Sequence, residues 1–462
     1  MINKPDLIFV LPPYLDVRLP YLGAAYLSEY LEGKGYKTEI LDINIDLYNS
    51  TEGDLSLFWH PNKQNTFFQE EEFLVFKKAF NSKIDEYAKY IIESGCKVLA
   101  FYIFDSNILF AIDLIKRIKF LDKDIKIVFG GPFCFNINSR RSVYSFVDYI
   151  IPGEGELSLL KLLEMIKNGK QQNIPGVLAC KKDEGEDTFK ACYIDDLSQI
   201  PFPKFKKFDL AKYQVKNKLP IILSRGCGYG CCSFCDVKLR WPKVRFRKAK
   251  DVYEEMVYHA RENGVSRFYF NDSCINFDLK LLDNLLDLVI KNGFKVELDA
   301  LMRVRSDMGL NYFKKMKEAG FWRLEYGLES GSEKIIKLMK KGISLKDAEH
   351  IFKTTHDAGI INAINIIVGF PGETEKEFKE TLDFITKNKE CIDKIEGLTT
   401  CHVLPFTDID ANREKYGIMS PKNFWGESWY SFDNNTLDVR LERKHRLIDL
   451  LLKLGIKFGQ ED

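Results

Sequence analysis

No apolar run among the 462 residues approaches the ~20 that a bilayer-crossing helix needs. The opening "MINKPDLIFVLPP" is too short in its apolar core for a secretory signal and is broken by Pro12 and Pro13. Net charge is nearly absent as well. Lys plus Arg number 68 against 67 Asp plus Glu, so no global field draws the chain to nucleic acid or an anionic surface. Only "RWPKVRFRKAK" (240–250) is locally basic. Internal repeats and low-complexity tracts are also missing. These absences lead us to expect a cytoplasmic protein with no membrane span and no nucleic-acid partner. With 45% hydrophobic residues, the chain can bury two or three domain cores.

What is present is a pattern. In the first part, "DLIFVLPP", "KTEILDI", "KVLAFYIF", "IKIVFGGP" and "VDYIIPGEGE" alternate with amphipathic segments such as 22–34 and 109–120, interrupted by an aromatic-dotted insertion over 48–80. Such alternation predicts an α/β domain with a doubly wound parallel sheet over 1–199, whose ligands bind beyond the carboxyl ends of the strands. Proline-broken "IPFPKFKKFDLAKY" suits a linker, taken as 200–215. Six more strand-helix units follow in 216–407, at "LPIILSR", "RFYFND", "KVELDAL", "RLEYGLES", "INAINIIVGF" and "IEGLTTCHVLPF". Six units are too few for a closed eight-fold barrel and predict a partial (β/α)6 barrel, with chemistry on loops after its strands. A small, mostly helical region, 408–462, is expected to cap it.

Directly after the first of these strands stands "SRGCGYGCCSFCD", which holds four of the eleven cysteines within nine residues. In a reducing compartment such a cluster points to metal or redox chemistry. Three thiolates on one short loop can hold three irons of a [4Fe-4S] cube and leave the fourth open to a substrate or cofactor. Spacing alone allows Cys227, Cys232 and Cys235, or Cys227, Cys231 and Cys235. A tetrahedral zinc site is the competing reading, although adjacent Cys231 and Cys232 diverge and no second C-x2-C knuckle follows. Isolated Cys96, Cys180, Cys192 and Cys391 read as core or surface residues.

The loop resembles that of radical S-adenosylmethionine (SAM) enzymes, where the usual spacing is C-x3-C-x2-C with an aromatic before the last cysteine. Phe234 fills the aromatic place. The resemblance therefore implies Cys227, Cys232 and Cys235 as iron ligands, a loop one residue longer than usual, and Cys231 outside the set. Downstream strand ends agree. "YFNDSC" offers Asp272 for the SAM amino group, or merely a helix cap. "LMRVRSD" offers Arg303, and with less reason Arg305, for the SAM carboxylate, with surface ion pairing as the plain alternative. "LEYGLESGSEKIIKLMKKG" offers Glu329 for ribose or amino contacts, followed by small residues that let the backbone approach a ligand. "NIIVGFPGETEKEF" resembles the segment that supports adenine, with Gly369 at its turn.

The first domain resembles the cobalamin-binding domain attached to a large subgroup of these enzymes, the class B radical SAM methyltransferase-like family. This implies that Gly130, Gly131 and Pro132 admit a nucleotide tail and that Gly153, Glu154, Gly155 and Glu156 line the corrin edge. A GG turn has a plain reading too, since any doubly wound sheet can require one. The D-x-H-x-x-G motif is absent. Any bound cobalamin should thus lack a histidine ligand, and the fold could alternatively be a relic that binds none.

By resemblance, a flavodoxin- or ferredoxin-type donor passes an electron to the cluster, SAM splits into methionine and a 5′-deoxyadenosyl radical, and methylcobalamin serves methyl transfer to an unactivated carbon or phosphorus centre. Radical rearrangement, cyclisation or oxidation without methyl transfer is the alternative, and a zinc-binding module without catalysis a remote one. The methylthiotransferase branch fits less well: the first domain holds only scattered Cys96, Cys134, Cys180 and Cys192 in place of a second three-cysteine site. The substrate, a small molecule or peptide, is not disclosed. Trp425, Trp429 and Tyr430 read mainly as packing residues.

Overall fold

The β-branched and aromatic runs become short parallel strands in both halves of the computed structural model, which describes residues 4–51, 58–59, 70–170, 172–180, 191–420, 426 and 428–459. Trp425 and residues 52–57 and 60–69 of the 48–80 insertion lie outside the described residues. The chain divides into two units, Met1–Lys216 and Asn217–Asp462.

In the first unit, β1 (Leu7–Leu11), β2 (Thr38–Asp42), β3 (Val98–Tyr102), β4 (Lys126–Gly130) and β5 (Tyr149–Ile151) form a parallel sheet. A two-residue antiparallel strand, β6 (Leu178–Ala179), extends it to the order 2-1-3-4-5-6. The β1 side chains are all buried, as expected of a strand covered on both faces. A helix over Glu70–Glu93 occupies the end of the predicted insertion, burying Phe73, Phe76, Phe80, Ile84, Ala88 and Ile91 along one stripe.

The stretch predicted as a linker belongs to the first unit instead. Phe205, Phe208 and Tyr213 are buried, Tyr213 Oη donates to Asp42 Oδ2 at 2.5 Å, and Lys204 and Lys207 pair with Glu29 and Glu32. The aromatics supply apolar anchors that proline content alone conceals.

In the second unit, β7 (Lys218–Ile221), β8 (Ser224–Arg225), β9 (Arg245–Phe246), β10 (Arg267–Phe270), β11 (Glu297–Met302), β12 (Phe321–Glu329), β13 (Ile361–Val368), β14 (Lys394–Thr400) and β15 (Lys457–Phe458) follow in order. All but β8 and β9 join one parallel sheet, ordered 15-14-13-12-11-10-7. The predicted six-strand partial barrel thus gains a seventh strand from the carboxyl-terminal region. The helix Leu437–Leu454 ends at Gly455 in a left-handed cap, and the chain turns to lay β15 beside β14. Two residues carry no readable period, so β15 was invisible in sequence.

Buried ions link β7, β11, β12 and β14. Lys218 meets Asp299 at 3.1 Å, Asp299 meets Arg323 at 2.8 Å, Arg323 meets Glu396 at 2.8 Å, and Lys394 meets Glu396 at 3.0 Å. None of these side chains is more than 9% exposed. Ion pairs so enclosed are tolerated because each charge has a partner.

Candidate active site

The cysteine loop leaves the sheet after β7 and is framed by the antiparallel pair β8–β9. Asp272, just past β10, fixes its start. Its carboxylate accepts the Leu223 and Ser224 N–H groups at 2.9 and 2.6 Å and the Ser224 hydroxyl at 2.5 Å. Burial pushes this carboxyl up to about 6 against those bonds. Asp272, the candidate for the SAM amino group, thus engages the loop's own backbone in this structure.

Further along, the loop is stitched to the end of the helix Glu333–Leu338. Ser233 N and Oγ donate to the carbonyls of Met339 (2.9 Å) and Leu338 (3.2 Å), and Tyr229 Oη donates to Lys340 O at 2.8 Å. Phe234 packs against a core that includes Met339, Phe370, Cys401 and Trp429. Trp429 is fully buried and donates to Cys401 O, as packing requires, whereas Tyr430 is exposed.

Within this frame the four thiols differ. Cys227, Cys232 and Cys235 are half-buried, and each lies within electrostatic reach of the other two. Cys231 is exposed, and its Sγ contacts Tyr229 O at 3.1 Å. Burial pushes the Cys232 thiol up to about 11 and raises Cys235 too. Among the described residues no three His, Cys, Asp or Glu side chains converge tightly enough for one metal ion, which would hold each sulfur at ~2.3 Å.

Glu329 closes β12 in a left-handed conformation, φ +72°, just after a register shift against β13. Such backbone is costly for a residue with a Cβ and is typical of functional loops. Its Oε1 accepts Lys341 Nζ at 2.7 Å, both side chains being about nine-tenths buried. Gly327 makes room: a Cβ there would lie 2.5 Å from Glu329 Oε1 and 2.7 Å from Lys341 Nζ. The small residues after Glu329 serve packing rather than ligand access. A Cβ on Gly331 would strike Thr381 Cα at 2.6 Å, and Ser330 Oγ bonds Thr381 Oγ1.

Arg303 stacks 4.0 Å over the Tyr229 ring and donates to the carbonyls of Lys341 and Gly342 at 2.9 and 2.6 Å. Its buried Nε has no partner. Arg305 pairs with Asp307. A cavity of about 440 Å³ lies here, lined by Tyr229, Cys274, Asn276, Arg303, Gly342 and Ile343 among others.

Gly369, the candidate at the adenine-supporting turn, lies against the carboxyl-terminal segment. A Cβ there would meet Arg440 Cγ at 2.3 Å, and its carbonyl accepts Asn435 Nδ2, so it seats the carboxyl-terminal segment. Its N–H donates to Glu373 at 2.6 Å. Burial pushes the Glu373 carboxyl up to about 7, against Arg443 and that N–H. A carboxyl whose folded pKa is raised contributes stability that is full below its unfolded pKa and is lost as pH rises through about 7. Between pH 5 and 8 Glu373 should therefore cost about 1–3 kcal/mol, and Glu373→Gln should flatten that part of the urea-unfolding profile.

In the first unit, Gly131, Gly153 and Gly155 are held by their own neighbours. A Cβ on Gly131 (φ +103°) would lie 2.7 Å from Ile103 O, one on Gly155 would meet Leu27 at 2.9 Å, and one on Gly153 would meet Ala191 at 3.1 Å. Pro132 begins a short 3-10 turn. Glu154 accepts the Ile194 N–H and Glu156 is buried at a helix start. Of the four candidate glycines only Gly130 is open, its nearest neighbour being Ile151 O at 3.8 Å. The loops after β1 and β3, where the strand order reverses, are tied through Ser106 Oγ to Tyr14 O and Asn107 Nδ2 to Pro12 O.

Residues 221–385 match the radical SAM superfamily. The chain carries a radical SAM domain. An uncharacterized methyltransferase of Pyrococcus horikoshii is 25% identical over 73% of this chain and 70% of its own length. A putative methylthiotransferase of Methanocaldococcus jannaschii is 30% identical over 62% of both. Among solved structures, the radical SAM methyltransferase TsrM of Kitasatospora setae, with cobalamin and a [4Fe-4S] cluster bound, superposes with a TM-score of 0.68 at 17% identity, over 90% of this chain and 79% of that one. Both units thus share their fold with that enzyme. Radical SAM domains use SAM and a [4Fe-4S] cluster, and the presence of one makes this chain an enzyme. No helix among the described residues is long and apolar enough to cross a membrane.

The site residue that sequence reasoning missed is Lys341. In "MKKG" nothing separates it from Lys340, yet Lys340 takes a left-handed turn and pairs outward with Asp408 while Lys341 points inward.

Proposed function

We propose that this chain is a cytoplasmic radical SAM enzyme that carries out cobalamin-dependent methylation of an unactivated carbon or phosphorus centre. The observation that carries this reading is the grouping of Cys227, Cys232 and Cys235, half-buried and mutually coupled, with Cys231 turned to solvent. A [4Fe-4S] cluster fits these thiols, and because burial raises the proton affinity of Cys232 and Cys235, metal loading must release protons. When bound, the cluster supplies the electron that splits SAM into methionine and a 5′-deoxyadenosyl radical.

The chain's own residues position and shield. Asp272 and Ser233 fix the loop at its two ends, and Phe234 roots it in the core. Arg303 presents a buried, unpartnered N–H that suits the SAM carboxylate. In the first unit the strand reversal between β1 and β3 and the open face of Gly130 support a cobalamin site. The only histidine in 1–216 is His60, outside the described residues, which favours a cobalamin held without histidine. Cobalamin, when bound, supplies the methyl carrier. A flavodoxin- or ferredoxin-type protein is the donor this chemistry requires.

The test is anaerobic reconstitution with iron, sulfide and hydroxocobalamin, followed by SAM and dithionite. About four irons and one cobalt per chain, with release of 5′-deoxyadenosine, are expected. Iron without cobalt would remove methyl transfer by cobalamin; no 5′-deoxyadenosine from iron-loaded protein would overturn the radical reading.

A further inference from the structure

We propose that Lys341 is a positioning residue that sets the reduction potential of the cluster held by Cys227, Cys232 and Cys235. This deepens the reading above and rests on it. Three observations place the ammonium. It bonds Glu329 Oε1 at 2.7 Å, it sits 5.8 Å from the centre of the Phe234 ring, between the last two thiols in sequence, and it lies within electrostatic reach of Cys232 and Cys235. The backbone holds it there. Lys341 N donates to Ile336 O, its carbonyl accepts Arg303, and the same turn binds Ser233 of the cysteine loop. Gly327 leaves the space that the ammonium fills.

Adding one electron to a cluster on three thiolates adds one negative charge in a half-buried site. A fixed cation beside two of those thiolates stabilises the reduced state over the oxidised one, and net charge and donors near the sulfurs are among the determinants of such potentials. Glu329 neutralises Lys341 in the oxidised enzyme, so the pair is tolerated when buried. Removing Lys341 alone leaves the Glu329 charge facing the cluster, which opposes reduction twice over.

The experiment is an EPR-monitored redox titration of the reconstituted full chain, with iron counted in every sample. Lys341→Met should be at least tenfold harder to reduce, a fall of about 59 mV or more for one electron, while retaining its iron. Lys341→Arg should stay within threefold of the wild type, and Lys341→Met with Glu329→Gln should recover most of the loss. A Lys341→Met potential within threefold of the wild type at full iron would overturn the proposal. So would loss of iron in both neutral variants while Lys341→Arg keeps it, since Lys341 would then hold the cluster rather than tune it. Absence of a four-iron cluster from the wild type would instead refute the underlying reading, which the iron count reports separately.

Discussion

Replacing Cys232 with alanine is expected to lower bound iron from about four per chain to near zero, while Cys231→Ala retains it. The two residues are adjacent and chemically identical, so the contrast is a test of geometry alone. The Cys231 thiol is exposed and contacts a carbonyl of its own loop, that of Tyr229. The Cys232 thiol is half-buried among Cys227, Cys235 and Lys341. Losing one of three ligands from a cube that has none to spare exposes a second iron, whereas losing an outward thiol removes nothing from the set. Iron analysis and the visible absorption of both variants after identical anaerobic reconstitution decide the matter. Iron lost from Cys231→Ala and kept in Cys232→Ala would invert the ligand assignment.

The second large effect is on stability. Asp299→Ala should destabilise the second unit by about 3–5 kcal/mol, because it strands Lys218 and Arg323 in a closed ionic chain. At this size each kcal/mol lowers Tm by about 2–4 °C. Asp357→Ala removes an exposed helical pair with Lys353 and should cost less than about 0.5 kcal/mol. Urea unfolding of both variants measures the contrast, and a loss below about 1 kcal/mol for Asp299→Ala would mean that the freed charges find water or new partners.

Much of this protein was legible as pattern. The spacing of apolar runs predicted each long strand of both sheets, because a strand buried on two faces must be apolar throughout and a covering helix must carry a stripe. Four cysteines on a loop after a strand located the site, since loops at the carboxyl ends of parallel strands are where ligands bind. The family resemblance reached further and was matched by the radical SAM domain at 221–385.

Residue roles were less legible, for reasons visible in individual side chains. Asp272 and Gly369 have the right type at the right strand ends, yet one binds the loop's own N–H groups and the other gives way to Arg440. Either outcome satisfies the same local sequence. The stretch 200–215 looked like a linker because prolines break its period, but its aromatics are buried against the first unit.

By itself, then, the sequence determined the two α/β units and the cysteine loop, which follow from periodicity and spacing along the chain, while the radical SAM domain was read from the resemblance of its motifs. Only the tertiary structure decided which neighbouring thiol faces inward, which of two adjacent lysines enters the site, and what Asp272 and Gly369 touch. Those choices are made by backbone turns and by partners far away in sequence, and no local pattern records them.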